Sequence, residues 1–122
     1  MALYTQLLMR EAANDPLRVG IVGAGKFGSM YLAQVIRTPG VHLVGIVDLS
    51  IDNAKHSLER VGWPEEQYAA PSLDAAVQSG ATYVGEDLDK LVCHPAVDII
   101  IECTGHPIAA VDHCLKAFEN GK

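Results

Sequence analysis

The sequence predicts an α/β fold, a doubly wound parallel sheet with helices on both faces. Three observations predict it. Short β-like runs alternate with helical patterns along the chain. Runs such as "LRVGIV" (17–22) and "VHLVGIV" (41–47) are near-continuously apolar, as strands buried on both faces are. The strands are separated by helices, which implies parallel pairing through right-handed crossovers. The strand order this favours is 3-2-1-4.

Element by element, Tyr4, Leu7, Leu8 and Ala12 recur at helical spacing and predict an amphipathic helix over 2–13. Asn14-Asp15-Pro16 ends it, so residues 1–16 form an N-terminal helix and linker. The Leu and Met side chains of that helix are expected to pack, against this domain or against a further part of the protein. The first strand is 17–22. A helix follows from about Lys26 to Arg37, with Gly28, Leu32, Val35 and Ile36 on one face and Pro39-Gly40 as its stop. The second strand is 41–47. Ser50 or Asp52 caps the next helix, which buries Ala54, Leu58 and Val61 before Gly62 breaks it. Pro71-Ser72 opens a helix with Leu73, Ala76 and Val77 inside, and Gly80 closes it. "TYVG" (82–85) is a short third strand, and "EDLDKLV" gives about two helical turns, with Glu86, Asp87 and Asp89 as N-terminal acids. "AVDIIIECTG" (96–105) contains the fourth and most apolar strand. Pro107 then sits where a first helical residue tolerates proline, with Ile108, Val111, Leu115 and Phe118 along one face and Gly121 at the end. That last helix has an apolar face and no following strand, so the chain is expected to be part of a longer polypeptide, cut before a fifth strand.

Composition narrows the function classes. At 122 residues the chain is one domain, and 49% hydrophobic with 20% charged residues is ordinary for a soluble globular protein. A net charge of −6 gives no footprint for nucleic acid, which needs clustered Lys and Arg. No apolar run approaches the ~20 residues that span a membrane. "MALYTQLLMREAAN" is not a secretory signal: its apolar part is short and Arg10-Glu11 interrupts it. Cys93, Cys103 and Cys114 are odd in number and lack CxxC spacing, which fits a reducing cytoplasm. The five histidines show no HxxxH or HExxH spacing and, with the cysteines, make no metal set.

The chemistry is concentrated in Gly23-Ala24-Gly25-Lys26-Phe27-Gly28, a GxGxxG between a strand and a helix. That context makes it a dinucleotide fingerprint rather than a chance match. Gly23 allows the tight turn, Gly25 lets a pyrophosphate approach the backbone, and Gly28 lets helix and sheet pack closely. The helix N-terminus offers free N–H groups and a positive dipole end to phosphates. Lys26 either touches a phosphate or is solvated. Asp48, 20 residues after Gly28 at the end of the second strand, supplies the acid that accepts from the adenosine ribose hydroxyls of NAD. It would repel the 2′-phosphate of NADP, and no Arg follows within five positions, so NAD is favoured while NADP stays open. Residues 17–122 thus read as a Rossmann dinucleotide-binding domain.

A third patch, "ECTGHP" (102–107), ends the fourth strand at the switch point where such folds bind ligands. Thr104, Gly105 and His106 are expected near the nicotinamide ribose. Cys103 reads as a small apolar residue rather than a nucleophile. Glu102 is either a strand residue with a backbone partner or a ribose contact.

"REAANDPLRVGIVGAGKFGSMYLAQV", "GIVDLS" and "AVDIIIECTG" resemble the N-terminal domain of homoserine dehydrogenase-like oxidoreductases. The chain is similar in particular to the bacterial branch with a C-terminal SAF domain, which includes 1-deoxy-D-xylulose-5-phosphate reductoisomerase-like proteins. The resemblance implies NAD(P)-dependent chemistry on a small polar carbonyl or alcohol, usually by a dimer. It places Gly23, Gly25, Gly28 and Asp48 on the cofactor and Thr104-Gly105 beside the nicotinamide; Ala24, Lys26 and Phe27 within the motif, and Cys103 and His106 beside the turn, complete the expected cofactor-binding set. It puts substrate binding and proton transfer in a second domain, so this chain is expected to bind dinucleotide and to turn over nothing alone. The alternatives are an NADPH-dependent 1-deoxy-D-xylulose-5-phosphate reductoisomerase-like activity of the full-length protein, which the resemblance implies, and a non-catalytic nucleotide-sensing module.

Overall fold

The computed structural model describes residues 2–122, the side chains of Lys26 and Phe27 excepted. Strands β1 (Leu17–Val22), β2 (Val41–Val47), β3 (Tyr83–Gly85) and β4 (Ile99–Glu102) pair in parallel in the order β3-β2-β1-β4. That is the predicted order. Six α-helices are described: α1 (Leu3–Ala12), α2 (Lys26–Val35), α3 (Ile51–Arg60), α4 (Leu73–Ser79), α5 (Leu88–Cys93) and α6 (Pro107–Glu119). A short 3-10 turn covers Glu65–Tyr68.

The period-2 geometry of a strand sends successive side chains to opposite faces. Val19, Ile21, Leu43 and Ile46 therefore join Leu32 and Val35 of α2 and Ala54 and Leu58 of α3 in one core. Val22, Val44 and Val47 join Leu73 of α4 and Leu91 of α5 in the other. Each such side chain, fully buried, contributes about 1.5–3 kcal/mol. The ladder between β1 and β2 slips between Val19 and Gly20, which brings Gly20 opposite Gly45. Leu91 fills the notch: a β-carbon at either glycine would lie 2.7 Å from its Cδ1.

The helix starts follow their local chemistry. Ser50 and Ser72 accept from the amides of Asn53 and Ala75. Asp87 accepts from Asp89 and Lys90. Gly80 closes α4 at φ 80°. Among the described residues, no helix is long and apolar enough to cross a membrane.

Several sequence expectations need correction. Helix α2 ends at Val35, not Arg37, and Ile36 is exposed rather than on the buried face. The amides of Arg37 and Thr38 bond three residues back, to Gln34 and Val35, tightening the last turn ahead of Pro39. Thr82 lies outside β3; its buried hydroxyl donates to the carbonyl of Leu43 instead. Val61 is the C-terminal cap of α3 and only half-buried. The most apolar strand is the least buried: β4 lies at a sheet edge, and Ile99 is 41% exposed. Helix α1 buries no residue fully: Leu7 is half-buried with its backbone against Gly40, while Leu3, Tyr4, Leu8 and Met9 are exposed.

Candidate functional site

Strand β1 delivers the chain to its carboxyl end at Val22, beside the ends of β2 and β4. Gly23 turns there with φ 91°, and its amide donates to the carbonyl of Val47 at 2.8 Å. A β-carbon on Gly23 would lie 2.9 Å from the backbone of Cys103 and Thr104, so only glycine lets the loop lie against the end of β4. Gly28 is buried one turn into α2. A β-carbon there would come within 2.7 Å of the Gly23 carbonyl oxygen. Both glycines are required by the protein's own packing.

Gly25 is different. It caps α2 at φ −73°, a value open to any residue, and a β-carbon there would meet nothing within 4 Å. Nothing in the fold requires glycine at this position.

Side chains from two helices and a strand end brace the loop. Asp48 accepts from the Ala24 amide at 2.8 Å through Oδ2 and from the Ser50 amide at 3.1 Å through Oδ1. Ser57, buried on α3, donates from Oγ to the Ala24 carbonyl at 2.8 Å. Ser29 donates to the Gly25 carbonyl at 2.9 Å. Arg60 reaches the hydroxyls of both Ser29 and Ser57, each at 3.4 Å. The loop is held from behind by its carbonyls, and Asp48 keeps spare lone pairs on both oxygens.

A cleft of about 630 Å³ opens over these strand ends. Gly23, Ala24, Gly25, Asp48, Cys103, Thr104 and His106 line it, as does the α3 face of Asn53, His56, Ser57 and Arg60. Most of the residues singled out in the sequence are thus brought together. Gly105 (φ 74°) shapes the turn without lining the cleft. The side chains of Lys26 and Phe27 lie outside the described residues. A second cavity, about 410 Å³, lies at the opposite ends of the strands, near Arg18 and His42.

At the β4 corner, Glu102 is the hub. One carboxylate oxygen accepts from the Thr104 amide at 2.6 Å, and the other pairs with Nδ1 of His113 on α6. Burial alone would raise the Glu102 carboxyl, but the hydrogen bonds from Thr104 and His113 outweigh it and hold the group below its ordinary value. Of the two readings open in the sequence, the backbone partner is present. Burial, helped by the Glu102 charge, pushes the Cys103 thiol up, away from the thiolate form a nucleophile needs.

Sequence reasoning missed Ser57, Arg60 and the Glu102–His113 pair. Ser57 left a signal, a polar residue inside the apolar stripe of Ala54, Leu58 and Val61. Glu102 and His113 left none, because their link runs from a strand end to a helix 11 residues later.

Residues 17–122 match the oxidoreductase family with an NAD-binding Rossmann fold. The chain belongs to this family. Its four-stranded sheet and flanking helices are that family's NAD-binding Rossmann fold. Among curated relatives, the homoserine dehydrogenase of Pseudomonas aeruginosa is 30% identical over 109 residues, covering 88% of this chain and 22% of that protein. The chain thus spans about a fifth of that relative's length. GenD2 from gentamicin A biosynthesis, solved in complex with NAD, is 23% identical, with a TM-score of 0.46, and covers 87% of this chain and 32% of that one.

Proposed function

We propose that the cleft binds a nicotinamide dinucleotide, NAD in preference to NADP, as the cofactor-binding part of a dehydrogenase acting on a small polar alcohol or carbonyl. The observation that carries this reading is Gly25. An N-cap that Ser, Thr, Asp or Asn would fill as well carries no side chain, and it faces an open cleft at a helix N-terminus. A pyrophosphate against the backbone is the occupant that requires a missing side chain there.

In this reading the backbone of Gly23, Ala24, Gly25, Lys26, Phe27 and Gly28 forms the phosphate cradle. Arg60, tied to two hydroxyls beside the loop, adds positive charge next to it. Asp48 accepts from the adenosine ribose hydroxyls through its spare lone pairs. Its charge disfavours a 2′-phosphate. Cys103, Thr104, Gly105 and His106 border the nicotinamide end. The nicotinamide supplies the hydride chemistry when bound. The chain's part is to hold it, orient it and cover it from water on one side. The likeness to a homoserine dehydrogenase supports a hydroxyl-bearing substrate. The substrate-binding and proton-transfer groups are expected in a further domain, so the chain alone is expected to bind without turnover.

Calorimetric titration with NADH and with NADPH tests the reading. NADH is expected to bind at least ~10-fold more tightly, about 1.4 kcal/mol. Tighter binding of NADPH would overturn the role given to Asp48. No binding of either by the folded chain would overturn the reading itself.

A further inference from the structure

We infer that His113, oriented by Glu102, is a binding residue for the dinucleotide's second ribose, the one that bears the nicotinamide. The inference rests on the dinucleotide reading of the cleft. It starts from a polar pair whose role the loop and Asp48 do not explain.

Helix α6 starts at Pro107 and is otherwise weakly anchored: Ile108, Val111, Leu115 and Phe118 are all more than half exposed, and Ala117 is its one fully buried residue. Yet the side chains of Glu102 and His113 are only 11% and 20% exposed and face each other. The carboxylate is held in its ionised form, so it accepts. Nδ1 of His113 must then carry the proton, which leaves Nε2 as a bare acceptor in the neutral ring. Nε2 has no protein partner among the described residues, while His113 lines the cleft with Ala109, Cys103 and Thr104. An imidazole held through Nδ1, with its other nitrogen free for a ligand, therefore lines the β4 side of a dinucleotide-sized groove, across from the Asp48 side. Two acceptors at opposite ends of one cleft match a ligand with two hydroxyl-bearing riboses joined through phosphates. Glu102 acts through His113 and through the Thr104 amide, so it is a positioning residue.

The test uses ligands that differ by that ribose. ADP carries the adenosine ribose only, and ADP-ribose carries both. The 15N-labelled chain is titrated with each, alongside NADH, while long-range imidazole spectra report the tautomer, with His113 assigned by its absence in H113Q. The free chain is expected to show His113 protonated at Nδ1. Its Nε2 resonance is expected to move with ADP-ribose and NADH and to stay with ADP. H113F should weaken ADP-ribose and NADH by ~3- to 10-fold, the value of one hydrogen bond, and leave ADP unchanged. Glu102→Gln should release the tautomer to a mixture. A ring protonated at Nε2 in the free chain, or an Nε2 resonance that ignores ADP-ribose, overturns the inference even if H113F does not fold. Equal weakening of ADP and ADP-ribose by H113F also overturns it. A wild-type chain that binds none of the three ligands overturns the dinucleotide reading and the inference with it.

Discussion

The two corners that flank the cleft are built in different ways. The glycine-loop corner is held by backbone: Gly23 against β4, Gly28 against Gly23, and the Ala24 amide and carbonyl braced by Asp48 and Ser57. It sits over a core in which Ile21, Leu32 and Leu58 are fully buried. The β4–α6 corner is held by side chains. Glu102 ties the Thr104 turn to His113, and the rest of α6 offers an apolar face to solvent, with Phe118 68% exposed. A corner made of close backbone approaches has one geometry and tolerates little substitution. A corner made of one carboxylate–imidazole pair depends on protonation and on two side chains.

The largest break in this comparison is expected from G28A. The new methyl meets the Gly23 carbonyl oxygen at 2.7 Å, a backbone atom that cannot step aside cheaply. A loss of about 1–3 kcal/mol in urea unfolding is expected, with loss of NADH binding. An unchanged midpoint would show that the loop is looser than its contacts imply.

Acid should act first on the other corner. The folded-state value for Glu102 lies below the ordinary 4.5, so its contribution to stability is fully present above about pH 4.5. It is lost as pH falls through the lowered folded value. Thermal melts across this acid range should show E102Q less sensitive to pH than the wild-type chain. Parallel curves would remove Glu102 from the account of that corner.

The smallest effect is expected for F118S, within about 0.5 kcal/mol, because the side chain is mostly in water already. A larger loss in a melt would mean that α6 is packed more firmly than its exposure says.

The same difference explains what was legible in the sequence. The loop, Asp48 and the strand order could be read because each rests on short-range chemistry: glycine at fixed spacing, an acid ending a strand, apolar runs between helices. The edge position of β4 follows from that order, but the exposure of Ile99 could not be read, because the hydrophobicity of the run is the same whether a face is covered or open. Ile36 was misplaced because helical periodicity was carried one turn too far, past where Pro39 tightens the chain. The Glu102–His113 pair was invisible because no local pattern links a strand end to the middle of the following helix.

The measurement that tests the central claim most directly is a calorimetric titration with NADH of the wild-type chain and of G25V, each with a thermal melt. The claim is that Gly25 is kept open for a ligand and not for the fold. NADH is expected to bind the wild-type chain and to lose at least ~100-fold in affinity to G25V, about 2.7 kcal/mol, while G25V is destabilised by no more than the loss of a favoured N-cap residue costs, about 1 kcal/mol. Equal NADH binding by both proteins, or a G25V chain that loses its stability along with its binding, would contradict it.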